Sequence, residues 1–473
     1  MPCRRRSERC SDAVPVPGAG GTVMGQQPEA RSQNSQDGGT ANDTFRIDRL
    51  TLKNFRCFED KTIDFHPRFN VLIGDNGSGK TAVCEALAAL IGRLPVMADK
   101  SPRDIVHDDV RRAPLETQVV HRVRVIYDTR LRADATIRTQ STYWTAGLKT
   151  PHQLASSGRK DKTVAETFRG EGNAGRQMPL VAYYPSGRYS GPSVDSVDDF
   201  LEGDVIPRTY GYTDCLAATV SEEHAVKWLK TFQAVQDQED RASPELEAVK
   251  AAVAACIEDY REMKYWFRPG ELCIHRGSGA GLPLRMLPSG VRCILAMVAD
   301  MAWRSFVLNP HLGADAAEFT PGVVLIDDID LHLHPKWQRK VVGDLKKAFP
   351  KVQFIVTTHS PIIVQSLDEG ELIKLDEGPP GAYADQPIED ILENVQDYGD
   401  AMPSSRKRAM IEAAKRYYEV LDRAQDASPE EQEAAKRELD RLAAPFSDNV
   451  AYHASLAYLE SKREAAGLGD GGE

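Results

Sequence analysis

The chain has no Cys-x-x-Cys pair, although it carries 8 cysteines among 473 residues. Cys3, Cys10, Cys57, Cys84, Cys215, Cys256, Cys273 and Cys293 are scattered, and several stand in apolar segments. This spacing argues against a zinc site or a disulfide framework; reduced thiols in a cytoplasmic protein fit it better. Apolar runs near the roughly 18 residues of a membrane span are also missing, so no membrane partner is expected. Arg4-Arg5-Arg6 has no apolar stretch behind it, so no secretory signal is expected. Positive charge is in short supply. A net charge of −11 disfavours a surface coated for non-specific nucleic-acid binding, while leaving room for a local basic groove. Sustained heptads and internal repeats are absent as well, which excludes a long coiled-coil rod and a solenoid.

What is present is ordinary for a globular protein: 41% hydrophobic and 27% charged residues. Residues 1–43 are rich in Gly, Ser, Gln, Pro and Asn. They hold too little apolar surface to offset the entropy of ordering, so a disordered tail is expected. Order is expected from Phe45, where strand-period alternation runs to Leu52. A strand at Thr62–Phe65 follows, then one at Phe69–Ile73 and a helix carrying Val83, Leu87, Leu90 and Ile91. Strands around Val119–Tyr127 and Leu180–Tyr184 flank a polar excursion through Gly170–Gly175. Helices are expected near 222–236 and 245–265, then a helix from about Gly290, a buried strand Val323–Ile326, a helix from Pro335 and a strand Val352–Thr357. The last ~95 residues read as helical, with Ser428-Pro429-Glu430-Glu431 as a helix start.

Four motifs carry chemistry. Gly74-Asp75-Asn76-Gly77-Ser78-Gly79-Lys80-Thr81 lies between a buried strand and a helix. Its glycines let successive N–H groups face a polyphosphate; Lys80 supplies a point charge and Thr81 a hydroxyl for Mg²⁺. Val323-Val324-Leu325-Ile326 ends in Asp327-Asp328. Asp327 can reach the Mg²⁺, and Asp328 lies where an attacking water would sit. Thr357-Thr358-His359-Ser360-Pro361 puts a histidine at a strand end, where it can sense a γ-phosphate. Leu287-Pro288-Ser289-Gly290-Val291-Arg292 opens a helix with small residues, a ready anion site.

In this order the residues resemble the ABC-type ATPases of the SMC, RecF and OLD class. Leu50 to Phe58 looks like the first strand of that class, Asn70 to Leu87 its Walker A, Asp327 to Pro335 its Walker B and D-loop, and Thr358-His359-Ser360 its switch histidine. A more specific similarity is to compact PtuA-like ATP-binding proteins of the AAA family, related to the Septu and retron-associated anti-phage ATPases. It is carried by Pro179–Tyr184, Met297–Ala302, His334–Arg339 and Gln353–Pro361.

The resemblance implies an α/β fold: an ABC-type P-loop NTPase head of mixed sheet and flanking helices, with a short helical arm and a helical C-terminal region. Its expected divisions are an N-lobe with Walker A over 44–207, a helical arm over 208–283, a C-lobe over 284–378 and a helical partner region over 379–473. It implies a homodimer or higher oligomer whose heads sandwich ATP. Arg56, Asn76, Gly77, Gly79, Lys80, Thr81 and Ala82 would touch nucleotide, with Gly74, Asp75 and Ser78 completing the loop. Thr81 and Asp327 would hold Mg²⁺. Lys80, Asp328 and His359 would act on the γ-phosphate, and Ser289 and Gly290 would reach the partner's ATP.

Three departures stand out. The class places a glutamate where this chain has Asp328, and a serine where it has Pro288, and no Q-loop glutamine is evident. A general base shortened by one methylene can cost on the order of 10²-fold in rate, so slow turnover is implied. The segment after Leu367 shows neither the glutamate nor the paired aspartates of a Toprim nuclease. The reading that follows is an ATP-driven conformational switch that regulates a partner nuclease or effector in anti-phage defence. Its alternatives are a RecF-like DNA-binding repair ATPase and a nucleotide-sensing scaffold with little turnover.

Overall fold

A computed structural model describes residues 44–94, 97, 105–114, 123–125, 128–137, 140–150, 153–154, 176–188, 207–217, 222–240, 242–257, 260–277 and 281–376, with isolated positions beyond. The expected tail 1–43, the Gly170–Gly175 excursion, the Ser428–Glu431 helix start, Cys3 and Cys10 lie outside the described residues, as does nearly all of 379–473.

The strands, in chain order, are β1 (Phe45–Phe55), β2 (Phe58–Asp64), β3 (Phe69–Ile73), β4 (Arg112–Pro114), β5 (Val123–Val125), β6 (Thr129–Ile137), β7 (Gln140–Thr150), β8 (Gln153–Leu154), β9 (Leu180–Tyr184), β10 (Tyr260–Trp266), β11 (Glu271–Arg276), β12 (Leu282–Pro283), β13 (Gly322–Ile326), β14 (Val352–Thr357) and β15 (Leu372–Lys374). The helices are α1 (Lys80–Gly92), α2 (Glu222–Glu239), α3 (Pro244–Cys256), α4 (Ser289–Leu308), α5 (Ala316–Phe319), α6 (Pro335–Ala348) and α7 (Pro361–Gln365).

The core is a parallel sheet in the order β15-β3-β14-β13-β9. All residues of β3, β9, β13 and β14 are buried, as expected of parallel strands covered on both faces. Gly322 opens β13 because a side chain there would collide with the Leu180 carbonyl of β9, 2.1 Å from an added Cβ. A second, antiparallel sheet runs β2-β1-β6-β7-β8. Helix α1 is apolar nearly all round and buries 11 of its 13 residues. It touches β13 and β14 of one sheet and β1, β6 and β7 of the other. The Trp144 indole of β7 donates to the Leu90 carbonyl of α1 at 3.0 Å.

Several readings need correction. The β6–β7 hairpin does not figure among the expected strands, although β6 alternates buried residues with exposed or half-buried ones along its whole length. Charged Arg130, Arg132 and Asp134 fill its solvent face and mask its strand character. The helix expected over 245–265 stops at Cys256. There the chain turns into β10, whose Met263 and Tyr265 are buried at a spacing of two, and Gly270 at φ +91° reverses it into β11. The stretch expected as a helical arm therefore combines α2 and α3 with a small sheet, β10-β11-β12. Gln233 of α2 ties the two together, accepting from the Tyr265 N–H and donating to the Tyr265 carbonyl, both at 2.7 Å. Strand β15 is a further element beyond the expected set.

The two large sheets are joined by Gln353. Its side chain accepts from the Ile47 N–H at 2.8 Å and donates to the carbonyls of Ile47 and His66 at 2.8 and 2.9 Å. The two bonds to Ile47 lie in the core, where an unpaired backbone group is costly, and the bond to His66 is half-buried. Gln353→Ala is expected to destabilise the protein by about 2–4 kcal/mol, read as a fall in the urea midpoint. A midpoint equal to that of the parent would show that these bonds add nothing to the joint.

Candidate functional site

Parallel strands deliver their following loops to a single edge of the sheet, and open α/β sheets place ligands at that carboxyl edge. Gly74–Thr81 follows β3, Pro185–Arg188 follows β9, Asp327–Asp328 follows β13, Thr358–His359 follows β14 and Asp376 lies just past β15. The register of the four strand pairs brings these five segments together.

The Gly74–Thr81 loop leads straight into α1. Gly79 has φ +98°, and an added Cβ would lie 2.4 Å from the Phe58 ring, so only glycine fits. The Lys80 ammonium folds back onto the loop, donating to the carbonyls of Gly74 and Asp75 at 2.7 and 2.9 Å. Burial lowers its pKa, against the pull of Asp328, Asp376, Asp327 and Asp75. The Ser78 hydroxyl is buried without a hydrogen-bond partner. Asp75, Asn76 and Gly77 are exposed, and Ala82 is buried in the first turn of α1.

Asp327 is 1% exposed. Its carboxylate accepts from the Thr81 hydroxyl at 2.9 Å and from the Thr357 hydroxyl at 2.7 Å. Its own N–H reaches the Tyr184 carbonyl at 2.9 Å. Thr81 and Asp327, 246 positions apart in the chain, therefore offer hydroxyl and carboxylate oxygens side by side. Both are hard donors of the kind that suits Mg²⁺, which binds few protein groups and keeps phosphate and water ligands. Among the described residues no cluster of three or more His, Cys, Asp or Glu side chains could hold a metal. Two oxygens beside a phosphate-type loop, with an orphaned Ser78 hydroxyl, match that modest demand.

Asp328 adopts φ +50°, uncommon for any residue but glycine. Three bonds fix it there. Its N–H donates to the Thr357 hydroxyl at 2.7 Å, and the Arg188 guanidinium donates to the carbonyls of Asp327 and Asp328 at 2.6 and 2.9 Å. Burial, and the neighbouring charges of Asp327 and Asp330, raise the Asp328 pKa above the usual carboxylate value. His359 and Arg188 act in the opposite direction. His359 itself is exposed, on a turn where the Thr358 hydroxyl donates to Asp330 and the Ser360 side chain caps α7.

Ser289 and Gly290 open α4. Ser289 is exposed, while Gly290 presses against the segment after Asp328: an added Cβ would lie 2.3 Å from the His332 carbonyl. Arg56 is already paired within the chain. Its guanidinium is paired with Asp109 at 2.7 Å and with Glu85 of α1, although the adjoining Cys57 and Phe58 pack on Gly79. The expected nucleotide contact of Arg56 thus competes with two intrachain carboxylates.

Two participants escaped the sequence reading. Arg188 is 2% exposed, yet an arginine in a Pro-Ser-Gly turn reads as a solvated residue. It lies beside the acidic loop, bonded to the carbonyls of Asp327 and Asp328. Asp376 accepts from the Asp75 N–H at 3.0 Å and so steadies the loop's first turn. The strand-like run Leu372–Leu375 before it was the available signal.

Two AAA-domain family profiles match the chain, over residues 49–261 and 230–365. The retron Ec83 probable ATPase of Escherichia coli is 24% identical over 424 residues, covering 74% of this chain and 77% of that protein. The Septu protein PtuA of Bacillus mycoides is 24% identical over 354 residues, covering 70% of this chain but only 40% of its own length. Among solved structures, the SMC head domain from Thermotoga maritima aligns with 16% identity and a TM-score of 0.36, over 70% of this chain and 94% of that one. The AAA-domain matches run through every loop of the carboxyl edge described above except the one bearing Asp376. The chain accordingly carries AAA-domain sequence from residue 49 to residue 365 and is similar to the retron and Septu ATPases.

Proposed function

We propose that the chain is an ATP-driven conformational switch, closing as a homodimer over nucleotide and regulating a partner effector in anti-phage defence. The observation that carries the ATP chemistry is the Thr81–Asp327 pair lying under a glycine loop that ends in Lys80. Lys80 would turn from the carbonyls of Gly74 and Asp75 to the outer phosphates, joined by the N–H groups of Gly74–Lys80 and the Ser78 hydroxyl. Thr81 and Asp327 would hold Mg²⁺, which offsets charge on the β- and γ-phosphates when bound. Asp328 would orient the attacking water and take its proton, and His359 would face the γ-phosphate. Ser289, exposed at the start of α4, would meet the ATP of the second copy, with Gly290 setting the helix against the His332 segment. The defence role and the effector rest on the names of the retron and Septu relatives. The region beyond residue 378 is the proposed docking part.

Asp328 explains how such a site would be both poised and slow. Held at φ +50° by Arg188 and Thr357, its carboxylate cannot swing freely to make up for a missing methylene.

Three outcomes test this reading. Lys80→Ala should weaken ATP binding by at least about 50-fold in calorimetry, the worth of a charge-assisted phosphate contact. Affinity equal to that of the parent would sink the nucleotide assignment. Asp328→Glu should raise turnover about tenfold or more if reach limits the base. An unchanged steady-state rate would move the limit to another step. Asp328→Asn should stop turnover and yet raise the thermal midpoint at pH 7. The sign follows from linkage: a carboxyl whose folded pKa is raised contributes its stability below the unfolded pKa and loses it as pH rises through the folded one. The advantage of the neutral amide should therefore close below about pH 4, where the native carboxyl is itself protonated. A lower midpoint for the variant at pH 7 would contradict the electrostatic account.

A further inference from the structure

Helix α6 buries Val341, Val342, Leu345 and Ala348. Its other side carries Lys336, Lys340, Asp344 and Lys347, at steps of four, four and three that keep them on one stripe. This stripe walls a cleft of about 450 Å³, closed on the far side by the end of α3 and by Arg276 at the end of β11. Trp337, half-buried, also lines it. Among the described residues the cleft lining thus brings Arg276, Lys336, Lys340 and Lys347 together with Asp344 and an indole, in a chain whose net charge is −11.

A row of lysines on an exposed helix is usually no more than a solvated face. Here the charges come from two separate elements and border a concavity in the size range of small-molecule sites, roughly 300–1,000 Å³. Cations beside an aromatic face are what a phosphate joined to a base requires: ammonium and guanidinium groups for the phosphate, an indole for stacking. We propose that this cleft is a second nucleotide-phosphate site, distinct from the Gly74–Thr81 loop. It takes a nucleotide either free or as part of a single nucleic-acid strand. Arg276, Lys340 and Lys347 meet the phosphate and Trp337 stacks on the base.

The cleft wall is bonded to the ATP-site loops. Gln338, next to Trp337, donates to the Leu333 carbonyl at 3.0 Å and accepts from the Ser360 hydroxyl at 2.8 Å. Leu333 follows the Asp327–Asp328 segment, and Ser360 follows His359.

The test uses the full chain carrying Lys80→Ala, which silences the first site, so the outcome does not depend on ATP turnover. The probes are adenosine monophosphate and a single-stranded oligothymidine of about ten nucleotides. Binding is followed by calorimetry and by fluorescence anisotropy at about 50 and 200 mM salt. Saturable, salt-sensitive binding is expected, weakened at least about tenfold by K340E/K347E with the circular dichroism spectrum intact. If that double variant misfolds, K340Q/K347Q replaces it with a smaller loss expected. Binding of both probes assigns a free nucleotide, and binding of the oligonucleotide alone assigns a strand. Absence of saturable binding by either probe, or equal affinity in the charge variants, overturns the proposal.

Discussion

A carboxylate almost wholly removed from solvent organises this molecule. Asp327 collects the hydroxyls of Thr81 and Thr357, and its backbone bonds to Tyr184 and Arg188. Those contacts link α1 with β9 and β14 at the end of β13, so one buried charge stitches together four segments that are far apart in the chain. A buried carboxylate is tolerated only when its oxygens find donors. One of the donors it finds, Thr81, closes the glycine loop of the proposed ATP site.

The parallel sheet makes that meeting unavoidable. Because β3, β14, β13 and β9 run in one direction, their following loops share an edge, and α1 is set with its first turn facing it. The antiparallel sheet covers the other side of α1, so the helix is apolar nearly all round and cannot shift without opening two interfaces. Gln353 adds a polar joint between the sheets where packing alone would leave backbone groups unpaired. Rigidity around the loop and strain at Asp328 are two aspects of one arrangement. The surroundings hold an uncommon backbone conformation and a crowd of like charges, which an isolated segment would relax.

Clustered carboxylates also explain the electrostatic character of the edge. Asp75, Asp327, Asp328 and Asp376 all act on Lys80, whose own charge is opposed by burial. Such a crowd of like charges is the kind of field that a bound cation relieves. The basic cleft beside α6 has the opposite sign, and the overall acidity of the chain gives no hint of it.

How much of this was legible beforehand can be judged residue by residue. The phosphate loop, the acidic strand end and the histidine turn were visible because each is local: glycine spacing, an uninterrupted apolar run and turn residues are written over eight or fewer positions. Strands β3, β9, β13 and β14 were visible for the same reason. The β6–β7 hairpin was not, since its exposed face carries charges that dilute the alternation, and β10 was read as a continuation of α3. Arg188 and Asp376 were beyond reach because a polar side chain does not announce whether it faces water or a neighbour's backbone. By itself, then, the sequence determined the chemistry available, namely a loop, a lysine, a hydroxyl and two carboxylates in order along the chain. Only the tertiary structure decided which backbone atoms Arg188 would grip, which amide Asp376 would hold and that Arg276 would share a cleft with the lysines of α6. Those partnerships join residues scores to hundreds of positions apart, and burial, not local pattern, selects them.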